Sequence, residues 1–344
     1  MKKVSIITPS FNRESFVAET LDSLLNQTYE NWENIVVDDG SSDRTKEIIQ
    51  EYANRDNRIK LYDRDREPKG ACTCRNQGVD FCEGEFLIFL DTDDLLEPFC
   101  LEQRVKVMEE NTKLDFAIFP SLMFRHKPND LDLWWNVDKA ADELTRQFHQ
   151  DAICQGTGVM WKKSSFNRIG QWNEALHLWQ DIDLFFNAYI QGYQYEKYFQ
   201  LPPDLHNRCL ETSLSRNDFF APKKTSSRIR VLKRAVSLLK EYHKESYLTE
   251  ARFMTAELVS GLARSLEPAK AKELILWAYS EGVLSQNQSK QLRLLVFLHS
   301  TRLSRLPWLS QKVTNIENQF RVEDCTLGVL PVGKEYPSAN QIQA

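Results

Sequence analysis

Over the first 125 residues, short apolar runs alternate with segments whose apolar residues recur at helical spacing. That alternation restricts the chain to βαβ units, with a mostly parallel sheet covered by helices. Strands are expected at 4–8, 34–37, 59–62, 85–90 and 116–119. A helix over about 15–26 puts Val17, Leu21, Leu24 and Leu25 on one stripe, and a second follows the N-cap-rich Ser41-Ser42-Asp43. Each strand then runs at its C-terminal end into a polar loop, the edge at which open α/β sheets take ligands.

The pattern changes twice further on. Residues 126–151 are polar, with Pro128, Asn129 and the Trp134-Trp135 pair, and read as a long loop with some helix. From 154 to 199 come a Gly156-Thr157-Gly158 turn, a strand through Trp161, a Gly170 turn, a helix over about 181–191 ended by Gly192, and a strand over 193–199. After Pro222 the chain is helix-like to about 303, with stripes such as Ile229, Leu232, Val236 and Leu239. Gly328, Pro331, Gly333 and Pro337 mark an irregular tail. The expected organisation is an α/β unit over 1–220, in halves of about 1–125 and 126–220, a helical module over 221–320 and a tail over 321–344.

The formal charge of −5 over 344 residues argues against a nucleic-acid binder that works by neutralising phosphates. The charge is unevenly spread: residues 221–312 hold 17 Lys and Arg against 7 Asp and Glu. Lys290, Arg293, Arg302, Arg305 and Lys312 flank an apolar set that includes Leu292, Phe297, Leu303, Leu306 and Trp308. Two readings stand, an interfacial surface resting on anionic lipid, or helices packed on the rest of the protein with a solvated basic rim. No apolar run approaches the roughly 20 residues of a membrane span, and the apolar stretch after Lys3 is too short for a signal-peptide core. Seven cysteines with no CxxC pair suggest reduced thiols, and with them a cytoplasmic location.

The sharpest chemical feature is Phe89-Leu90-Asp91-Thr92-Asp93-Asp94, where an apolar strand stops in three carboxylates. Carboxylates so crowded raise one another's pKa unless a cation neutralises them, and hard oxygen donors suit Mg²⁺ or Mn²⁺ shared with a diphosphate. The competing reading is a solvated, helix-capping turn. Asp38-Asp39, ending the second strand, either caps the next helix or accepts from a nucleobase or ribose. Phe11, after the first strand, offers a face for a base, although an aromatic there is usually core. Arg75-Asn76 brings a cation to the same edge.

The segments Val4 to Asn12, Gln27 to Asp43, Arg75-Asn76-Gln77-Gly78 and Gly84 to Asp94 together resemble the family 2 glycosyltransferases of the GT-A fold, over about residues 1–215. The resemblance implies a Rossmann-like mixed α/β sheet flanked by helices, and inverting transfer from a nucleotide-activated sugar. It implies that Pro9, Phe11, Arg13, Asp39, Arg75, Asp91 and Thr92 border the donor, with UDP-sugars favoured, and that Asp93 or the rival Asp94 binds Mn²⁺ or Mg²⁺.

Family members also share a Glu-Asp pair opening a helix after a Gly-containing turn. Here the Glu is replaced by Gln180, while Asp181 keeps the position of the catalytic base, with Asp183 a weaker candidate. Both acids could equally serve the helix dipole. Gly156, Thr157, Gly158, Trp179 and Gln180 fall where the acceptor would bind, as a glycan or lipid-linked saccharide for a cell-surface polymer. Trp134, Trp135, Trp172 and Trp179 are stacking platforms or core, and His206 faces the diphosphate or merely packs. Two rival functions are a non-catalytic nucleotide-sugar-binding module, which Gln180 keeps open, and a sugar nucleotidyltransferase. The latter needs a Gly-rich phosphate loop that Thr8-Pro9-Ser10-Phe11-Asn12 lacks.

Overall fold

The computed structural model describes residues 1–131, 133–210 and 221–320. In chain order the strands are β1 (Val4–Ser10), β2 (Trp32–Asp38), β3 (Ile59–Asp63), β4 (Phe86–Phe89), β5 (Leu95–Leu96), β6 (Phe116–Ile118), β7 (Ser121–Phe124), β8 (Leu133–Trp134), β9 (Val159–Lys162), β10 (Tyr195–Lys197) and β11 (Leu205–Arg208). The helices are α1 (Val17–Leu25), α2 (Thr45–Arg55), α3 (Ala71–Phe81), α4 (Cys100–Glu110), α5 (Glu143–Phe148), α6 (Lys163–Arg168), α7 (Gln180–Gln191), α8 (Pro222–Glu241), α9 (Leu248–Arg264), α10 (Pro268–Ser280), α11 (Gln286–Ser300) and α12 (Pro307–Asn318).

The main sheet runs β10-β6-β9-β4-β1-β2-β3. β1 pairs in parallel with both β2 and β4, β2 with β3, and β6 with β10, while β9 is antiparallel to β4 and β6. The central strands β1, β2 and β4 are buried on both faces and largely apolar because both faces are covered. Ile7, Val37 and Phe89 enter one core, and Ile6, Val36 and Ile88 the other. α1, α2 and α4 supply Leu21, Ile49 and Val105 to the second of these.

The C-terminal helices are not a separate body. Val231, Leu258, Leu274 and Leu295 belong to the same continuous apolar cluster as Ile7 and Phe89. α12 carries the helical region on to Asn318, past the apolar periodicity that fades near 303 and within the 221–320 span expected for the helical module. Residues 321–344, expected as a tail, lie outside the described residues.

A second sheet, β5-β11-β7-β8, has no counterpart in the sequence-based expectations. Two of its strands are two residues long, and β11 is the polar Leu205-His206-Asn207-Arg208, so neither length nor alternation signals it. Its place is fixed by a wholly buried ion pair: Arg104 donates to both carboxylate oxygens of Asp204, at 2.6 and 2.9 Å, and to the Thr157 carbonyl at 2.6 Å. The sheet thereby brings Asn207 and Arg208 to the acidic loop after β4.

Candidate active site

The loops that follow β1 and β2 are knitted together. Asn12, in the left-handed region at φ 51°, accepts from the Ser42 amide at 2.9 Å, while Ser41 Oγ accepts from the Asn12 amide. Arg13 donates its amide to Thr45 Oγ1 at 2.7 Å. Pro9, still in β1, is half-buried, and Phe11 beyond it stays 42% exposed with Lys69 Nζ 3.9 Å from its ring centroid. Phe11 is therefore not a core residue, and its ring is accessible from solvent. Asp38 and Asp39 have different partners, and neither caps α2, which begins at Thr45. Asp38 is consumed by its own loop, accepting from the Gly40 and Ser41 amides. Asp39 lies against the Arg64 guanidinium at 2.6 Å.

Arg75, on α3, joins the acidic loop to α7. Its guanidinium donates to Asp91 Oδ1 at 2.6 Å and to Gln180 Oε1 at 3.2 Å, and it lies 4.8 Å from the Trp172 ring centroid. Thr92 is buried. The neighbouring acids differ in use. Asp94 is buried and accepts from Asn207 Nδ2 at 2.9 Å, the Arg208 amide at 3.0 Å and Thr157 Oγ1 at 3.3 Å. The expectation that Asp94 holds a metal therefore meets a competing use of its lone pairs in fixing β11 to the loop.

Asp93 is partly exposed, and among the described residues the nearest cation, Arg13 Nε, is 3.9 Å away. Arg208 Nε donates to its backbone carbonyl, not to its carboxylate. Burial, followed by repulsion from Asp91, pushes the Asp93 carboxyl up to about 6.

α7 opens on strained backbone, with Trp179 left-handed at φ 62°, a conformation rare for a bulky side chain. Gln180 and Asp181 follow in the first turn. Asp181 Oδ1 accepts from the Gly156 amide at 2.8 Å, and a Cβ built on Gly156 would lie 3.4 Å from that oxygen and 3.4 Å from the Trp172 ring. The short 3-10 turn Gly156–Gly158 thus meets Asp181 at Gly156 and Asp94 at Thr157. Gly158 lies where a Cβ would approach Leu205. Burial raises the Asp181 carboxyl above its ordinary pKa, with Arg75 and the Gly156 amide pulling the other way.

Asp183 does not share this setting. It is buried and engaged by Asn173 and by Arg234 of α8. Trp172 is core, edge-on to Phe89, and His206 is buried in the second sheet, 2.6 Å from Glu97. Trp134, in β8, is partly buried, and so is Trp135.

The structure brings together two bonded groups, Asp91–Arg75–Gln180 and Gly156–Asp181, adjacent through the chain at 180 and 181, with Asp93 and Arg13 beside them. Sequence reasoning missed Arg64, Lys69, Arg208 and Arg234, cations that reach these residues from distant positions. Their only signal in the sequence is charge, which 44 Lys and Arg residues share.

Among the described residues no three His, Cys, Asp or Glu side chains converge into a finished metal cage. The donors nevertheless suit a divalent ion. Asp91 and Asp93 are hard, partly exposed carboxylates, and Asp93 carries poorly compensated charge. Mg²⁺-type sites commonly take one or two carboxylates and complete their shell with substrate phosphates and water.

Residues 5–170 match the sequence profile described as Glycosyl transferase family 2. Residues 5–170, just under half of the chain, belong to that family. The Bacillus subtilis (strain 168) protein EpsH is 40% identical to this chain over 162 residues, 46% of each chain. The Escherichia coli WfgD protein, named as a UDP-Glc:alpha-D-GlcNAc-diphosphoundecaprenol beta-1,3-glucosyltransferase, is 42% identical over 108 residues, 31% of this chain and 42% of WfgD. The chain thus spans less than half the length of either relative. The crystal structure of S. aureus TarS 1-349 in complex with UDP-GlcNAc superposes with a TM-score of 0.58 over 93% of this chain and 92% of that one, at 16% identity. This likeness establishes a GT-A glycosyltransferase fold, and its coverage takes in the C-terminal helices.

Proposed function

We propose that the chain is an inverting glycosyltransferase that moves a sugar from a nucleoside-diphosphate sugar to a hydroxyl of a glycan or lipid-linked saccharide during cell-surface polysaccharide biosynthesis. The observation that carries this reading is Arg75, which bonds both Asp91 of the acidic loop and Gln180, the neighbour of Asp181, whose carboxylate in turn accepts from the Gly156 amide. UDP is the favoured nucleotide, in keeping with the donors named for WfgD and TarS. A lipid-linked acceptor, like that named for WfgD, would bring a cytoplasmic enzyme to the membrane surface through its basic C-terminal helices.

In this reading Phe11 and Pro9 border the base, and Asp39 accepts from base or ribose, with Arg64 holding its carboxylate in place. Arg75, Arg13, Asp91 and Thr92 border the ribose and diphosphate. Asp93 would hold Mn²⁺ or Mg²⁺ with Asp91 alongside, and the ion when bound offsets charge on the diphosphate. Asp94 serves as scaffold, consistent with its three donors.

Asp181 accepts the acceptor hydroxyl's proton as that oxygen attacks the anomeric carbon from the face opposite the diphosphate. The bond to the diphosphate breaks in the same displacement, so the anomeric centre inverts. The Gly156 amide keeps the Asp181 carboxylate aimed. Gly156, Thr157, Gly158, Trp179 and Gln180 border the acceptor. The left-handed backbone at Trp179 favours a functional role there.

The test is release of free UDP from a panel of UDP-sugars offered with lipid-linked and soluble saccharides. Transfer by the wild type, lost in Asp181→Asn while donor binding persists, supports the reading. Donor binding without turnover across the panel overturns it in favour of a non-catalytic nucleotide-sugar-binding module.

A further inference from the structure

α11, the 3-10 turn Leu303–Arg305 and α12 form a corner of the helical region with two unlike sides. Leu292, Leu295, Leu298, Leu309 and Val313 are buried in the core. Trp308, however, is 71% exposed, Phe297 53% and Leu306 43%, so large apolar side chains face water within twelve residues of chain. Arg293, Arg302, Arg305 and Lys312, all exposed, are interleaved with them. The charge is one-sided: from Gly282 to Ile316 there is no acidic residue. A solvated rim of an ordinary helical bundle mixes both signs, and burying three large side chains would be expected if they only served the fold.

Between the end of α9 and the 3-10 turn lies a recess of about 180 Å³, lined by Arg264, Leu266, His299, Arg302, Ser304 and Arg305. His299 Nε2 is buried with no hydrogen-bond partner among the described residues. Arg302 is held in the left-handed region at φ 59°. Glu317 pairs with Arg264, leaving Arg302 and Arg305 as the cations of the mouth. A small anion with several acceptor oxygens fits this chemistry, and a lipid headgroup phosphate would sit where Trp308 and Phe297 reach the acyl boundary.

We infer that this corner is an interfacial membrane surface, with Trp308, Phe297 and Leu306 entering an anionic leaflet and the Arg302–Arg305 recess taking a lipid phosphate. Charge complementarity selects the occupant: aromatic side chains flanked by cations with no intervening acid are the composition of a helix face that lies on anionic lipid. The inference deepens the proposed lipid-linked acceptor, and rests on that reading for its biological purpose alone. None of these residues belongs to the bonded groups at the sheet edge.

The test is co-sedimentation of the full chain with vesicles of phosphatidylcholine, alone or mixed with phosphatidylglycerol. Binding is expected to the mixed vesicles only and to weaken with salt. Arg302→Gln and Arg305→Gln should each weaken it about fivefold, and Trp308→Ala should weaken it without changing the salt dependence. Lys106→Gln, an exposed cation on α4, should leave it unchanged. UDP release to a soluble acceptor should be normal in all four variants. Asp181→Asn should bind vesicles as the wild type does, so failure of the catalytic reading and failure of this one are separable. Equal binding to both vesicle types, no binding, or a wild-type dimer that Trp308→Ala converts to monomer with vesicle binding intact would overturn the inference.

Discussion

Arg234 of α8 donates to the buried Asp183 carboxylate at 2.5 Å, two residues beyond Asp181. The same face of α8 makes two further contacts with the segment leading into α7. Ser227 Oγ accepts from the His177 amide at 2.9 Å, and Arg230 donates to the Ala175 carbonyl at 3.2 Å. Residues 227, 230 and 234 lie at helical spacing, so one stripe of the C-terminal region clamps the approach to the candidate base. Arg234→Met leaves Asp183 buried with Asn173 as its one remaining side-chain partner among the described residues, and burial already raises its pKa. The expected loss is about 1–2 kcal/mol, below that of a wholly buried pair because Arg234 is part-exposed. Asp183→Asn in the same chain should restore much of it. Urea unfolding of the four proteins measures the coupling; strictly additive losses would contradict it.

Asp181 titrates in a setting that fixes the sign of its pH response. Burial raises its carboxyl, repulsion from Asp91 adds to this, and Arg75 and the Gly156 amide oppose. A base must be ionised, so kcat/KM should fall as pH drops through a pKa above the ordinary carboxylate range. Arg75→Met removes the opposing charge and should move that acid limb to higher pH, lowering activity more at about pH 6 than at about pH 8. Stability runs the other way. The folded state holds this proton more tightly than the unfolded chain, so ionisation subtracts stability as pH rises from the ordinary value to the raised one. Asp181→Asn should therefore melt higher than the wild type at neutral pH, and an unchanged melting temperature would count against the burial described.

How much of this was legible in the sequence depends on the range of the interactions involved. β1 to β4 and their helices follow from apolar periodicity, because strands covered on both faces must be continuously apolar, as Ile35-Val36-Val37 is. Asp91 and Asp93 stand out because carboxylates at a strand end carry a local signal, whereas Asp181 is picked out by the family resemblance and not by its own surroundings in the sequence. The second sheet and the uses of Asp94 were not legible. β11 reads as a polar stretch until Asn207 and the Arg208 amide are seen to bind Asp94 across 113 and 114 residues. The clamp by Arg234 was equally hidden, since α8 gives a clear helical stripe but no sign of what its polar face meets.

Gly78 illustrates a motif whose reason is steric. It sits on α3, one turn after Arg75, and a Cβ there would lie 2.5 Å from Ile7 Cγ2 and 3.6 Å from Val37 Cγ2, both fully buried on the sheet. Only a hydrogen lets α3 approach β1 closely enough for Arg75 to reach Asp91. Gly78→Ala gains helix propensity of about 1 kcal/mol, but overpacking costs about 1–3 kcal/mol. A net loss of stability is expected, together with a donor-affinity loss larger than stability alone explains, because Arg75 moves with its helix. Denaturant unfolding and donor titration check the two effects separately, and a more stable variant with normal donor affinity would refute the steric account.

Asp93 sets stability against function. Its carboxylate sits beside Asp91 with only the loosely placed Arg13 opposite it among the described residues, and its pKa near 6 means that its charge is unfavourable in the folded protein at neutral pH. Asp93→Asn keeps the shape and removes the charge, so the ligand-free protein should gain about 1–2 kcal/mol, as neutralised functional sites often do. The same change removes the carboxylate proposed to hold a divalent ion. UDP with Mn²⁺ should raise the wild-type melting temperature well beyond UDP alone, since a ligand that binds only the folded state stabilises it by mass action. In Asp93→Asn that metal-dependent increment should vanish while the rise from UDP alone persists through Phe11 and Asp39. Asp94→Asn should do the reverse, losing stability as its bonds to Asn207 and the Arg208 amide weaken but keeping the metal increment. A metal increment that survives in Asp93→Asn and disappears in Asp94→Asn would exchange the roles of the two acids.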